Sequence, residues 1–320
     1  MRAAVVSSFD RAPSFEEFPT PAPSGPHEVL VDVVAAGLHP RVLSQANGSH
    51  YTSTDELPLI PGIDGVGRTE DGALRYFVLP DTAIGSMAEK TVVDLRRSIE
   101  LPDGTDPVAV AAAMNPAMSS WIALRRRIAF EEGQRVLVLG ATGNAGRIAV
   151  QVAKHLGASH VAAAGRNLDR AADVLSGLGA DTLVELGGDP RQARSGLAEA
   201  GKDVDVVIDY LWGQPTSDAL YAIVPARVDD DQQLSWVQVG SVAGPESPIP
   251  SAALRATRLQ LVGSGQGSVS PRSIVEELPS LVAEVSAGTF DIGARAVALA
   301  DVEQAWAEAR KGSERLVVVP

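Results

Sequence analysis

The sequence of 320 residues contains no cysteine. Disulfide bonds, thiolate metal ligands and a thiol nucleophile are therefore excluded. It also lacks a basic excess, because 27 lysines and arginines stand against 40 aspartates and glutamates, for a net charge of −13. This balance argues against nucleic acid or an anionic membrane as a main partner. No apolar run is as long as a membrane span and the N-terminus does not resemble a signal peptide, so we expect a cytoplasmic protein.

Hydrophobic residues make up 45% of the chain, which is enough for the cores of about two domains. Short β-like runs punctuated by proline and glycine fill the first part and predict a compact, barrel-like β domain: Ala3–Ser7, Glu28–Ala36, Leu74–Leu79 and Lys90–Val93. Between Pro107 and Ala129 the periodicity becomes helical, and we place a domain boundary there, after residue 120.

The stretch Arg135–Ala158 predicts a strand, a tight turn and a helix. The apolar run Val136–Leu139 has the composition of a buried strand, and apolar residues recur at helical spacing from Ala145. The turn between them contains Gly140, Gly143 and Gly146. Glycines let a backbone approach a pyrophosphate, and a helix N-terminus attracts its charge. A glycine triplet also occurs in ordinary turns, so the interpretation as a dinucleotide site depends on its context.

That context is a second predicted strand, Ser159–Ala164, which ends in Gly165, Arg166 and Asn167. The residue that reads the adenosine ribose falls about here in dinucleotide-binding folds. No aspartate or glutamate lies between Gly146 and Leu168, so Arg166 and Asn167 favour a 2′-phosphate and hence NADPH. In the alternative interpretation Arg166 is a solvated residue, and Asp169 or Asp173 in the following helix, Leu168–Leu178, reaches the ribose.

The alternation of strands and helices continues to the end of the chain. An apolar strand, Val204–Ile208, ends at Asp209 and Tyr210. Two further predicted strands, Trp236–Val239 and Leu259–Val262, end in glycine and serine, where the carboxyl edge of a parallel sheet meets its ligand.

The chain resembles the medium-chain dehydrogenase/reductase superfamily, specifically its zinc-independent quinone oxidoreductase branch. The motifs that carry the resemblance are AAGLHP (35–40), PGIDGVG (61–67), GSMAE (85–89), VLVLGATGNAGRIAVQVAKHLGA (136–158), VDVVIDYLWG (204–213) and DVEQAWAEARKGSERLVVV (301–319). The resemblance implies an α/β protein in which a GroES-like β-barrel catalytic domain (1–120) accompanies a Rossmann domain with a doubly wound parallel sheet (121–266). A C-terminal segment (267–320) returns to the catalytic domain. It also implies a homodimer formed through the edge of the Rossmann sheet at Leu259–Val262.

The resemblance also identifies departures from the zinc enzymes of the superfamily. There the catalytic zinc is held by a cysteine at the position of His39, a histidine at the position of Ile63 and a cysteine in the linker region. Only His39 remains as a candidate ligand here, and a lone histidine is more often a structural or pocket residue. We therefore predict no metal.

Hydride transfer needs a hydrogen-bond donor where negative charge develops on the acceptor oxygen. The candidate catalytic donors are His39 and Tyr51. Quinone reductases of this branch usually have an asparagine at the position of His39 and a tyrosine near the position of Tyr51. The alternative interpretations are a loop histidine and a half-buried tyrosine. Four further residues are expected around the substrate pocket: Arg41, Asp64, Asn115 and Met118. Arg41 is alternatively a surface arginine, and Asp64 alternatively a residue that hydrogen-bonds its own turn.

The sequence thus predicts an NADPH-dependent, zinc-free oxidoreductase that reduces a quinone or an activated C=C or C=O bond of a small molecule by hydride transfer. The alternatives are an enoyl-thioester reductase and, from another class, a non-catalytic NADPH-binding sensor or structural protein. The residues expected to bind the cofactor are Gly140, Ala141, Thr142, Gly143, Asn144, Ala145, Gly146, Arg166, Asn167, Asp209, Tyr210, Leu211, Val239, Gly240, Ser241, Ser264, Gly265 and Gln266.

Overall fold

The computed structural model describes residues 1–312 and 314–320. Within these residues the chain divides into two compact units, one formed by Met1–Asn115 with Val275–Pro320 and the other by Pro116–Ile274. The boundaries predicted after residues 120 and 266 differ from these. Both observed boundaries fall inside helices, so no loop marks them in the sequence.

The N-terminal part of the chain is rich in strands. Its elements are β1 (Arg2–Val5), β2 (Ser14–Glu17), β3 (Glu28–Leu38), α1 (Pro40–Ala46), β4 (Asp64–Arg68), β5 (Leu74–Val78), β6 (Lys90–Asp94), β7 (Ser98–Glu100) and α2 (Pro107–Ile122). The last of these helices continues as a π-helical turn over Ala123–Arg127.

Strands and helices alternate in the middle of the chain. The elements there are β8 (Arg135–Leu139), α3 (Asn144–His155), β9 (His160–Gly165), α4 (Ala172–Gly177), β10 (Thr182–Glu185), α5 (Pro190–Gly201), β11 (Val206–Asp209), α6 (Gly213–Ile223), β12 (Leu234–Gln238), α7 (Ala253–Ala256) and β13 (Leu259–Gly263). The C-terminal elements are α8 (Pro271–Ser286), β14 (Ala294–Ala298), α9 (Val302–Ala309) and β15 (Arg315–Val319).

The first unit is built on a mixed sheet in which the described strands follow the order β14-β15-β3-β4-β5-β7. The long strand β3 connects the N-terminal and C-terminal strands of this sheet. Its first half, Glu28–Asp32, pairs with β6, and its last residues, Ala36–Leu38, pair with β15. The C-terminal strand thus returns to the N-terminal unit. Large buried side chains fill the core beside it, among them Leu59, Met87 and Trp306. This architecture confirms the GroES-like β-barrel domain.

The second unit is a parallel sheet in the order β10-β9-β8-β11-β12-β13. Counted from β8, this order is 3-2-1-4-5-6, which is the order of a dinucleotide-binding Rossmann fold. Helices cover both faces of such a sheet, so its central strands are apolar on both sides, and Val136–Leu139 is accordingly buried. The expected doubly wound sheet is confirmed.

Several predicted elements need correction. Residues 40–46 form helix α1, which the sequence analysis did not predict, and Pro40 suits the first helical position, where its missing N–H has no intrahelical acceptor. The predicted helix Leu168–Leu178 is instead a 3₁₀ turn, Leu168–Arg170, followed by α4. It breaks at Ala171, whose φ of −121° lies outside the helical range.

Helix α2 with its π-helical extension also corrects an expectation. By length and composition the helical segment Pro107–Arg127 is apolar enough to cross a membrane, with a mean hydropathy of 1.2 over its best window. The expectation that no apolar run reaches that length was therefore too strict. Because 67% of the window is buried inside the protein, the segment has the properties of a core helix.

Candidate functional site

The glycine turn after β8 is shaped by contacts that leave no room for side chains. Gly140 has a φ of +90°, and a Cβ on it would meet Leu211 Cδ2 at 3.1 Å and Tyr210 Cβ at 3.3 Å. A Cβ on Gly146 would lie only 2.3 Å from the carbonyl oxygen of Gly140. Gly140 therefore allows the turn itself, and Gly146 allows helix α3 to pack against it.

Gly143 is different, because its face is open. A Cβ there would meet only the Gly140 oxygen, at 3.5 Å, and its φ of −79° is ordinary for any residue. Gly143 precedes helix α3, whose first turn contains no acidic residue and receives no side-chain cap from Gly143. The first N–H groups of a helix have no partner within the helix, and a glycine before them lets a ligand come close. Such a helix N-terminus suits the pyrophosphate of a dinucleotide. The residues present therefore fit the cofactor that the fold implies.

Other predicted cofactor segments meet at the same sheet edge. Strands β8 and β11 are neighbours, and the N–H of Tyr210 donates to the carbonyl of Leu139 at 3.1 Å. A Cβ on Gly240 would lie 2.9 Å from the Tyr210 oxygen, so the segment after β12 is packed beside them. Ser264 follows at the next strand, where its N–H donates to the carbonyl of Gln238 at 2.8 Å. A parallel sheet whose order reverses between β8 and β11 has its ligand crevice at this edge.

The carboxylate of Asp209 fixes the turn after β11. It is fully buried and accepts four hydrogen bonds: Oδ1 from the N–H groups of Leu211 and Trp212, and Oδ2 from Thr216 Oγ1 and Trp236 Nε1. Trp212 adopts a φ of 55° and a ψ of −162°, a region of backbone space that is essentially reserved for glycine. Such a conformation costs about 1–3 kcal/mol and persists only where surrounding contacts impose it. The sequence analysis did not single out Trp212.

A glutamate that the sequence analysis missed holds the loop after β9. Glu185 Oε2 accepts from the N–H of Leu168 at 2.7 Å, and Oε1 accepts from Asn167 at 3.2 Å and Gly187 at 2.6 Å. The hydrogen bond from Leu168 and its companions lower the pKa of Glu185. Asn167 has a φ of 61°, and Arg166 beside it is exposed, with no hydrogen bond or ion pair to the described residues. The signal available in the sequence was an acidic residue at the end of the neighbouring strand.

In the first unit, His39, Asp64 and Tyr76 form a buried hydrogen-bonded group. His39 Nε2 lies 3.1 Å from Asp64 Oδ1, and the Tyr76 hydroxyl donates to Asp64 Oδ2 at 2.8 Å. Burial lowers the pKa of His39, against the opposing effect of the Asp64 carboxylate, and burial with Asp64 raises the pKa of Tyr76 well above its ordinary value. His39 lies in the connection between β3 and α1, at the N-cap of α1, so it is a loop residue, but its side chain is buried. Asp64 bonds side chains from other elements rather than its own turn.

A buried arginine adds positive charge near this group. Arg315 on β15 is buried, and its Nε has no hydrogen-bond acceptor among the described residues. Burial lowers its pKa to about 10, while the charge of Asp64 acts in the opposite direction. The Asp64 carboxylate therefore interacts with a histidine, a tyrosine hydroxyl and, at longer range, a guanidinium.

Tyr51 and Arg41 lie nearer the surface. Tyr51 is 73% exposed, with its ring centroid 4.4 Å from that of His50, so the half-buried interpretation of this tyrosine is wrong. Arg41 is half-buried, and its Nη2 donates to Asp81 at 2.6 Å and to Thr52 at 3.0 Å. Asp81 therefore neutralises the charge that was predicted to recognise an acidic substrate.

Asn115 and Met118 both lie in α2 and are half-buried. The division between the two units passes between them, at Asn115 and Pro116. Their role in a substrate pocket stays a prediction.

The described part of the chain contains no group of three histidine, aspartate or glutamate side chains arranged to hold a metal ion. The one sequence candidate, His39, uses Nε2 for Asp64, and Ile63 lies in the apolar core of the first unit.

No protein-family model matches the chain. It is 32% identical, over the full length of both proteins, to a probable NADPH-dependent quinone reductase of Emericella nidulans. A trans-enoyl reductase of Aspergillus terreus is 28% identical over 68% of this chain, which spans 63% of that relative. Among solved structures, the quinone oxidoreductase of Thermus thermophilus, also determined in complex with NADPH, superimposes with a TM-score of 0.82 at 25% identity and 100% coverage of both chains.

Proposed function

Because the chain belongs to the quinone oxidoreductase-like branch of the medium-chain dehydrogenase/reductase superfamily, we propose that it is an NADPH-dependent enzyme that reduces a quinone or an activated enone or carbonyl compound. The observation that carries this proposal is the open glycine turn over the N-terminus of α3, at the point where the strand order of the parallel sheet reverses. When bound there, NADPH supplies the hydride.

The residues of the second unit bind and orient the cofactor. The first-turn N–H groups of α3 hold the pyrophosphate, and Arg166 pairs with the 2′-phosphate, for which its guanidinium is free of partners among the described residues. The segments Val239–Ser241 and Ser264–Gln266 approach the nicotinamide end. Their small residues leave space for a ring at the carboxyl edge of the sheet.

The proton that accompanies the hydride comes from Tyr51 or His39. Asp64 accepts from His39 Nε2, so a neutral His39 presents only an acceptor at Nδ1 and becomes a donor there after taking up a second proton. Its lowered pKa makes that form scarce at neutral pH. The hydroxyl of Tyr51, a largely exposed residue, donates without prior protonation and is therefore the favoured partner of the acceptor oxygen.

Three further properties belong to the proposal. The enzyme works without zinc, because His39 has only the Asp64 carboxylate beside it, and no group of three such side chains within the described residues is arranged to hold a metal. It forms a homodimer through strand β13, the edge strand of the parallel sheet, whose Leu259, Leu261 and Val262 are only partly buried in the monomer. It acts in the cytoplasm, the location that the sequence analysis predicts.

The test is turnover with a panel of acceptors. Purified protein is given NADPH with quinones, α,β-unsaturated ketones and enoyl thioesters, and loss of the nicotinamide absorbance is followed before and after exhaustive chelation. We expect turnover with a quinone or enone that survives chelation. Preference for the thioesters would favour the enoyl-thioester reductase, which the fungal trans-enoyl reductase relative makes the second candidate. NADPH binding without turnover on any acceptor would identify a sensor or structural protein, and zinc-dependent turnover would disprove the metal-free proposal.

A further inference from the structure

The four tryptophans of the chain differ sharply in their surroundings. Trp121, Trp236 and Trp306 are buried, with exposed fractions of 3%, 0% and 1%. Trp212 is half-buried. Within the described residues its indole makes no ring contact and no side-chain hydrogen bond, so it has no evident structural partner of the kind that Trp236 has in Asp209.

Trp212 is also held in a conformation that suits glycine. Its φ of 55° is imposed from both sides, since Asp209 Oδ1 accepts from its N–H at 3.0 Å and the next residue, Gly213, packs against the backbone of Ala243. The carbonyl of Leu211 accepts from the Ala243 N–H at 2.8 Å. A bulky side chain at such a position points to a use of that side chain outside the packing of the fold.

The location of Trp212 suggests what that use is. The turn at Leu211 borders the glycine turn directly, because a Cβ on Gly140 would touch the Leu211 side chain at 3.1 Å. Leu211 packs on the core cluster around Trp236, whereas Trp212 is not among the described residues that pack on that cluster. Trp212 therefore lies at the carboxyl end of β11. Arg166 lies at the carboxyl end of β9, and β8 is the one strand between β9 and β11 in the sheet.

We propose that Trp212 is a stacking residue for the adenine base of the bound dinucleotide. This inference rests on the proposed function and adds to it a residue that determines affinity for the adenosine half. An indole offers a large flat face to a purine, and an aromatic residue that stacks on one base changes affinity by about 5- to 150-fold.

The experiment uses the two halves of the cofactor separately. Wild-type protein is titrated with 2′,5′-ADP and with reduced nicotinamide mononucleotide, and binding is followed by calorimetry and tryptophan fluorescence. We expect 2′,5′-ADP to quench the emission, Trp212→Phe to abolish that quenching, and Trp121→Phe, a change at a buried tryptophan, to leave it in place. Trp212→Gly suits the backbone and removes the ring, so it should fold while binding 2′,5′-ADP about 5- to 150-fold more weakly. Trp212→Phe, which keeps a ring, should restore most of the affinity.

Equal affinity of wild type and Trp212→Gly for 2′,5′-ADP would overturn the stacking role, as would quenching by the mononucleotide alone. Either result leaves the proposed function intact as long as wild type binds NADPH and turns over an acceptor. Failure of wild type to bind NADPH would instead overturn both proposals.

Discussion

The imidazole of His39 lies 3.1 Å from the carboxylate of Asp64, and both side chains are buried in the first unit. Tyr76 donates to the second oxygen of the same carboxylate. The three residues come from the start of α1, from β4 and from β5, so only the folded sheet brings them together. A carboxylate bonded on both oxygens holds the histidine in one orientation and, when the imidazole is neutral, fixes its proton on Nε2.

This pair makes stability depend on pH. Burial lowers the pKa of His39 in the folded protein, while the unfolded chain returns it to about 6.5. The unfolded state therefore binds the proton first as the pH falls. The contribution of His39 to stability is complete above about pH 6.5 and is lost below it, with a slope of at most about 1.4 kcal/mol per pH unit. Urea denaturation at several pH values should show a smaller slope for His39→Gln than for wild type.

The matched control for this measurement is His27→Gln, which changes an exposed histidine. Burial also lowers the pKa of His50 and of His160, but both remain in the variant and their effects cancel in the comparison. Identical slopes in wild type and His39→Gln would contradict the assignment.

The proton donor is tested by removing one hydroxyl. Tyr51→Phe should lower turnover about 10- to 1000-fold, the range for losing one transition-state donor, and leave the Kd for NADPH unchanged. Because Tyr51 is exposed, the change should not alter the free energy of unfolding by more than about 0.5 kcal/mol. If Tyr51→Phe turns over normally and His39→Gln does not, the histidine is the donor. Normal turnover in both variants would leave solvent as the proton source.

Much of the fold could be predicted from the sequence, because strands and turns are marked by residues that are close together in the chain. The apolar run Val136–Leu139 and the glycines after it define a strand and a turn within a few residues of each other. The predicted strands Lys90–Val93 and Leu259–Val262 agree with the observed strands to within one residue for the same reason. The site depends instead on distant residues.

The contacts that shape the candidate site could not be predicted in this way. Glu185, at the end of β10, accepts hydrogen bonds from the N–H groups of Asn167 and Leu168, which follow the neighbouring strand β9. No sequence periodicity predicts that contact. The conformation of Trp212 follows from the buried carboxylate of Asp209, which the sequence marks as the end of a strand but not as the acceptor for the N–H groups of the next turn. Pairing of Arg41 with Asp81, 40 positions away, likewise appears only once the loops are folded.

The two glycines of the turn should respond differently to alanine. In Gly146→Ala the new Cβ would lie 2.3 Å from a backbone oxygen, so overpacking should destabilise the protein by about 1–3 kcal/mol. In Gly143→Ala the Cβ has space and an ordinary φ, so stability should hold while the added methyl weakens NADPH binding by keeping the pyrophosphate away from the backbone. Thermal unfolding and calorimetric titration separate the two effects.

Gly177→Ala is the control for those variants, because its Cβ would meet no atom within 4 Å and it lies in α4. It should leave NADPH binding unchanged and should not lower stability, since alanine in a helix is favoured over glycine by up to about 1 kcal/mol. A Gly143→Ala variant with wild-type affinity for NADPH would show that the pyrophosphate does not approach this face of the turn.

Cofactor choice is tested at Arg166, which is exposed beside the loop that Glu185 holds. A charged hydrogen bond to the 2′-phosphate contributes about 1.5–3 kcal/mol, which corresponds to a preference for NADPH over NADH of about one to two orders of magnitude. Arg166→Ala should remove most of that preference, measured as the ratio of kcat/KM for the two cofactors. Arg170→Ala, at an exposed arginine in the following 3₁₀ turn, should keep the wild-type ratio. A ratio unchanged by Arg166→Ala, or a wild-type preference for NADH, would exclude Arg166 from the cofactor site and direct attention to Asp169 or Asp173 as the ribose-reading residue.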